Sequence, residues 1–156
     1  MNQRDAIQNL DLNYVIVAPF LMIHDWGMDN GFELNEHPLI AFVPTRDPDR
    51  ARAFYRDLLG LRLISEQLPF ALVFDAHGVM LRVTVVKELT PPPYTALGWE
   101  VPNIEDAVAR LTEKGLQFER YPNMNLDQLG IWTAPGGSKV ASFRDPDGNT
   151  LSLSQH

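Results

Sequence analysis

The sequence predicts an α+β protein built from two βαβββ modules in tandem. Each half of the chain from Leu39 onward shows the same order of signals: one strand, one short helix with marked ends, and three further strands. The hairpins also align, because FALVFDAHGVMLRV lies over VASFRDPDGNTLSL without a gap. In this alignment Asp75 corresponds to Asp145. Such a repeat predicts two similar halves.

The first module begins with the strand LIAFVPT and the helix DPDRARAFYRDLLG. Asp47 is the predicted N-cap, Pro48 occupies the first turn, and Gly60 ends the helix. Apolar residues at i, i+3, i+4 and i+7 predict one buried stripe, formed by Ala51, Phe54, Tyr55 and Leu58. The strands LRLISE, FALVFDA and VMLRVTVV follow, with the dipeptide HG as a tight turn between the last two.

The second module repeats this order with the strand ALGWEV and the helix NIEDAVARLTEKG. Asn103 is the predicted N-cap and Gly115 the stop. The predicted buried stripe consists of Ile104, Ala107, Val108 and Leu111. The last three predicted strands are LQFERY, KVASFR and NTLSLSQ. Between the last two, DPDG suits a type I turn closed by a left-handed glycine.

These patterns divide the chain into an N-terminal extension (1–36), a first module (37–90), a proline-rich linker (91–94) and a second module (95–156). The extension is expected to add an edge strand, to form part of a subunit interface or to be poorly ordered. Its apolar run from Tyr14 to Ile23 is too short for a bilayer, which needs about 20 residues.

Composition excludes several classes of function. The chain has no cysteine, so it has neither disulfides nor thiolate metal sites nor a cysteine nucleophile. A net charge of −7 repels phosphate backbones and excludes nucleic acid as a partner. No secretion signal is visible, because Arg4 is cancelled by Asp5. We therefore predict a cytoplasmic protein without a membrane partner.

The segments DPDRARAFYRDLLGLRL and FRDPDGNTLSL resemble the vicinal oxygen chelate superfamily, which includes glyoxalase I, the extradiol dioxygenases and the bleomycin resistance proteins. The resemblance covers Leu39 to about Gln155. It implies that the two modules form a cup-shaped, curved mixed sheet, with helices outside and the ligand within.

The same resemblance identifies where a metal would be held. Metal-dependent members place His or Gln on the first strand of each module and Glu on the last. The matching positions here are Ile40, Arg82, Ala96 and Ser152. Two of these side chains have no donor atom, arginine is a permanent cation, and a serine hydroxyl is a weak ligand. We therefore predict neither a metal nor another cofactor.

The four histidines do not replace these ligands. His37 precedes Ile40 by three residues, so a continuous strand would point it away from the cup. His77 lies in the hairpin turn and His156 is terminal. His24 belongs to the extension, where its placement stays open.

Strand periodicity also predicts the lining of the cup. Trp99 takes the opposite face and is expected to pack in the core. Within YPNMNLDQLGIWTAPGG, Trp132 is expected either to form an aromatic wall of a lid or to pack on the sheet edge. Arg82 and Glu100 have two possible roles. They form a structural ion pair with each other, or they act on the ligand, with Arg82 offering its planar guanidinium to an anionic or carbonyl group. The predicted ligand-binding residues are Ile40, Phe42, Arg82, Ala96, Glu100, Trp132 and Ser152.

The leading functional prediction is a homodimeric, metal-free protein that binds a small molecule in an apolar cup. A metal-dependent lyase or dioxygenase with unusual ligands, such as Glu100 and His24, is the first alternative. A metal-free enzyme is the second, with Glu100 as base and Arg82 stabilising an oxyanion. A purely structural domain is the third. No catalytic residue is assigned.

Overall fold

The computed structural model describes residues 32–156. The expectations for Tyr14–Ile23 and His24 lie outside these residues. The chain divides into two compact units, Met1–His37 and Pro38–His156. In the first unit, the described part contains one short 3₁₀ turn, Leu34–Glu36. All strands and longer helices described below belong to the second unit.

The first module of the larger unit forms a four-stranded mixed sheet, sheet A, in the order β1-β4-β3-β2. Strands β1 and β4 are parallel, and the other pairs are antiparallel. Helix α1 continues directly into a π-helical turn. The elements are β1 (Ile40–Thr45), α1 (Pro48–Arg52), the π-helical turn (Ala53–Leu58), β2 (Arg62–Gln67), β3 (Ala71–Ala76) and β4 (Val79–Val85).

The second module forms sheet B, with the equivalent order β5-β8-β7-β6. Here too the first and last strands are parallel, while the other pairs are antiparallel. The α+β fold of two βαβββ modules is therefore confirmed, as two open sheets of the cup type. The elements are β5 (Thr95–Glu100), α2 (Ile104–Glu113), β6 (Trp132–Thr133), β7 (Lys139–Arg144) and β8 (Thr150–Gln155).

The predicted helix ends are confirmed. The Asp47 carboxylate accepts hydrogen bonds from the backbone N–H groups of Asp49 and Arg50, and Asn103 caps α2 in the same way. Gly60 and Gly115 follow the helical segments with φ of 77° and 100°, where a side chain would be strained. No helix within residues 32–156 is long and apolar enough to cross a membrane.

The helices and both sheets share one apolar core. In the π-helical turn, Tyr55 lies beside Phe74 of sheet A, and Phe54 approaches Phe143 of sheet B at 6.4 Å between ring centroids. From α2, Ile104 and Val108 complete this core. One side of each sheet is thus buried against the helices, while the other side carries accessible residues such as Phe42 and Gly98.

The ungapped alignment of the two hairpins is wrong by one residue. In the first module Asp75 pairs with Met80, the equivalent of Thr150, so four residues, 76–79, lie between the partners. In the second module Arg144 pairs with Thr150, which leaves five residues in the turn, 145–149. The longer turn shifts β7 relative to β3, while β8 keeps its correspondence to β4.

The predicted strand LQFERY is also wrong. Only Phe118 forms a β-bridge there, opposite Phe143. The edge of sheet B is instead completed by β6, in which Trp132 pairs with Val140. Two segments that are distant in sequence thus share the free edge of β7, and each covers only part of it.

The Asp145–Asn149 turn joins the two modules. The hydroxyl of Tyr55, in the π-helical turn, donates a hydrogen bond to Asp145 Oδ2 at 2.8 Å. Asn149 Nδ2 donates to the carbonyl oxygen of Pro44 at 3.0 Å, and Asp147 accepts from Thr45 Oγ1 at 2.5 Å. Sequence reasoning identified this turn but not its partners, although a DPDGN segment rich in acceptors was a usable signal.

Candidate functional site

The free face of sheet A is apolar and open. Strand pairing places Ile40 beside Met80 and Phe42 beside Arg82. Phe42 is 62% exposed and Ile40 is 44% exposed, whereas Val43, which points to the helix side, is fully buried. The residues of β1 and β4 predicted to line the cup therefore share one accessible face.

Arg82 lies in the middle of this face. Its strand neighbours are Phe42 on β1 and Val73 on β3. Within residues 32–156 its guanidinium makes neither an ion pair nor a hydrogen bond. A half-buried arginine of this kind presents five donors to whatever enters the cup.

Two further charged residues beside this row, Arg62 and Asp75, neutralise each other. Arg62 Nη2 lies 3.1 Å from Asp75 Oδ2. A hydrogen bond from the Gly78 backbone N–H, and next the contact with Arg62, hold the pKa of Asp75 below its usual value. Asp75 therefore remains an anion that is satisfied locally, and it does not compete for Arg82.

The expected ion pair between Arg82 and Glu100 is not formed, so that alternative is wrong. Glu100 Oε1 lies 3.6 Å from His156 Nδ1, and the Glu100 side chain is 71% exposed. Periodicity placed Glu100 on the correct face of its strand, where it shares a row with Ser154. It stands at the end of β5 beside the chain terminus, and this position directs its carboxylate to His156.

The free face of sheet B is polar and has small side chains. Ser152 lies between Gly98 on β5 and Ser142 on β7. Ser152 is only 5% exposed, and its hydroxyl forms no hydrogen bond within the described chain. A Cβ atom built on Gly98 would lie 3.0 Å from Ser152 Oγ. Gly98 therefore leaves the space into which this hydroxyl projects.

Ala96 does not take the place expected from strict alternation. Thr95 pairs with Thr150 and Leu97 pairs with Leu151, so Ala96 is the extra residue of a β-bulge. Thr95 consequently stands opposite Thr150 in the ladder. The equivalent residue of the first module, Ile40, keeps a regular partner in Met80.

Trp132 belongs to the sheet edge. It belongs to β6, where it pairs with Val140 of β7, and it also forms a β-bridge with Leu126. Together with Met124 and Ser142 these residues line a crevice of only about 30 Å³. The loop thus packs at the edge of sheet B through the bridge between Leu126 and Trp132.

A larger hollow lies on the helix side of sheet B. Trp99 takes this side as predicted, and its ring stacks near Phe143 with 6.4 Å between centroids. Trp99, Leu59 and Leu111 contribute apolar walls to a cavity of about 600 Å³. This cavity is separated from Arg82 and Ser152, which face the other side of their sheets.

The residues present do not fit a metal ion. The four positions that match the metal ligands of the family hold Ile40, Arg82, Ala96 and Ser152. In the described part of the chain no group of three or more His, Asp or Glu side chains is placed to hold a metal. His77 occupies the exposed hairpin turn with φ of 53°.

The two βαβββ modules and their shared cup define a member of the vicinal oxygen chelate class. The family model of the Glyoxalase/Bleomycin resistance protein/Dioxygenase superfamily matches residues 37–153. The chain therefore belongs to this superfamily, as its sequence motifs predicted. No curated protein matches the sequence.

Solved structures share the fold at low sequence identity. A putative glyoxalase family protein from Bacillus anthracis is 16% identical, with a TM-score of 0.62 over 83% of this chain and 99% of that one. A lactoylglutathione lyase from Agrobacterium tumefaciens is 17% identical, with a TM-score of 0.57 over 76% of this chain and 92% of that one. A superfamily member from Sphaerobacter thermophilus is 21% identical, with a TM-score of 0.59 over 77% and 97%. At these identities the likeness establishes the fold.

Proposed function

We propose that this protein binds a small organic anion in its cup without a metal. The observation that carries the proposal is Arg82, a half-buried cation without an ion-pair partner in the described chain. An arginine removed from bulk water and left unpaired is costly, and a carboxylate ligand would offset that cost through paired hydrogen bonds.

The surroundings of Arg82 support an apolar body for this ligand. Phe42, Ile40 and Met80 are all more than 40% exposed on the same face. Accessible apolar side chains around one charged group are typical of ligand sites, in which a few polar groups fix orientation and apolar walls supply affinity. The flat ring of Phe42 favours a planar ligand.

A metal-dependent lyase or dioxygenase is the weaker alternative. It needs ligands that replace the four substituted positions, and Glu100 is turned toward His156.

We also propose that the protein is a cytoplasmic homodimer that binds neither nucleic acid nor membranes. The apolar run outside the two modules supports the homodimer. The acidic charge disfavours nucleic acid and anionic membranes as partners.

Binding of naphthoate, a planar aromatic carboxylate, tests the proposal. Isothermal titration calorimetry should detect binding to the wild-type protein and a loss of at least about tenfold in Arg82→Ala, since a hydrogen bond to a charged group contributes roughly 1.5–3 kcal/mol. Arg82→Lys should fall between the two, because lysine keeps the charge but not the planar fork.

Two controls separate anion recognition from a general effect of the variant. Arg56→Ala removes an exposed arginine that is paired with Asp57 on the helix side, and should leave binding unchanged. Naphthamide, the neutral analogue, should bind weakly and respond little to Arg82→Ala. Absence of naphthoate binding at millimolar concentration, or equal binding by Arg82→Ala, would refute the proposal.

A further inference from the structure

The two modules place different side chains at equivalent points of the cup. Phe42 and Gly98 each stand five residues before a helix N-cap, Asp47 or Asn103. Arg82 is the strand partner of Phe42, and Ser152 is the strand partner of Gly98. One half of the cup therefore presents a ring and a cation, while the other presents an open space and a hydroxyl.

The Ser152 hydroxyl is an unused hydrogen-bonding group. Ser152 is 95% buried, since only 5% of its surface is exposed, and no described side chain or backbone group accepts or donates to its Oγ. A buried hydroxyl without a partner in the described chain is a group that a bound ligand can satisfy.

Gly98, the strand partner of Ser152, places no side chain against that hydroxyl. An alanine Cβ at this position would come within 3.0 Å of Ser152 Oγ, closer than such atoms normally approach. The backbone of Gly98 does not have positive φ, so turn geometry does not require a glycine here. What the glycine provides is access to the hydroxyl and space for a flat molecule above β5.

We infer that the ligand is a planar apolar anion that carries a hydroxyl or carbonyl group on the part remote from its anionic group. The anionic group pairs with Arg82, the planar body lies against Phe42 and extends over Gly98, and the remote polar group hydrogen-bonds to Ser152. This inference rests on the proposed function, because it assigns the second half of the same cup. Gly98 and Ser152 then determine specificity.

A series of hydroxynaphthoates tests this assignment against plain naphthoate. The isomers carry the hydroxyl at different positions of the ring that lacks the carboxylate. At least one isomer should bind the wild-type protein about fivefold more tightly than naphthoate, the effect of one added hydrogen bond. Ser152→Ala should abolish this preference while retaining the affinity for naphthoate itself. Gly98→Ala should abolish the preference too, because its methyl group covers the hydroxyl.

The control is Ser138→Ala, which removes a serine hydroxyl from the loop between β6 and β7 and should keep the wild-type preference. Thermal unfolding of each variant verifies folding before binding is compared. The inference fails if the wild-type protein binds every isomer no better than naphthoate, or if Ser152→Ala keeps the preference. The proposed function stands in either case, provided that naphthoate binding depends on Arg82. If no naphthoate binds, both fail.

Discussion

Replacement of Tyr55 by phenylalanine should weaken the contact that holds the two modules together. Tyr55 is fully buried, and its hydroxyl donates to Asp145 Oδ2 at 2.8 Å. The same carboxylate accepts from Asn149 Nδ2 at 2.7 Å and from the backbone N–H groups of Asp147 and Asn149 at 3.0 Å and 2.9 Å. The substitution removes one of these four donors and leaves the ring in place.

The expected loss is about 2 kcal/mol in the free energy of unfolding. Hydrogen bonds to charged groups contribute roughly 1.5–3 kcal/mol, and the loss of a donor inside the protein is not compensated by water. Three donors remain on Asp145, so the full cost of an unpaired buried charge does not arise. The phenyl ring keeps its contacts with Phe54 and Phe74, so no large cavity forms.

This difference should depend on pH in one direction. Burial in the first place, and then the negative charge of Asp145, raise the pKa of Tyr55 above its usual value of 10.0. The folded protein therefore holds the hydroxyl proton more tightly than the unfolded chain does. The resulting stabilisation is complete below pH 10 and decreases as the pH rises above it. Phenylalanine has no such proton, so the two proteins should approach each other in stability at alkaline pH.

Urea unfolding followed by circular dichroism at pH 7 and at about pH 11 provides the measurement. Tyr94→Phe is the matched control, because Tyr94 is 67% exposed and should change stability little. A loss below about 0.5 kcal/mol at pH 7 would contradict the claim that this hydrogen bond stabilises the junction. A loss of the expected size that stays constant up to pH 11 would contradict the stated origin of the pH dependence.

Two further predictions concern metal content and assembly. After dialysis against buffer without chelator, elemental mass spectrometry should find far less than one zinc, iron, manganese or nickel ion per chain. The reason is that the four family ligand positions lack suitable donors. Near-stoichiometric metal would favour the lyase or dioxygenase alternative. Multi-angle light scattering should give a dimer mass, about twice the 17.6 kDa of the chain, and a monodisperse monomer would count against the proposed homodimer.

Most elements of the fold were predictable because their signals are local. The cap residues Asp47 and Asn103 and the stripe that contains Ala51 and Phe54 lie within one or two helical turns of their partners. Strand alternation likewise placed Phe42 and Arg82 on one face, since it depends only on the order of residues along each strand.

The errors arose where distant segments compete or where a ladder is irregular. LQFERY has the alternation of a strand, but the edge of β7 is shared between Phe118 and Trp132, and a local pattern does not determine that division. The bulge at Ala96 adds a residue to β5 that alternation does not reveal. The placement of Glu100 beside His156 depends on a contact between β5 and the residue that follows β8, which alternation along one strand does not reveal.

The two hairpin turns explain how a cup with unlike halves keeps its shape. In the first module the His77–Gly78 turn is short and exposed, and its Asp75 is satisfied by Gly78 and Arg62 of the same module. In the second module the additional residue allows the Asp145–Asn149 turn to reach β1 and the π-helical turn that follows α1. Strand β1 carries Phe42, and the turn leads directly into β8, which carries Ser152. The junction therefore fixes the positions of these two ligand-facing strands relative to each other. Tyr55 itself lies in the core between the helices and the sheets. Because its hydroxyl holds the junction, Tyr55→Phe should weaken naphthoate binding as well as stability.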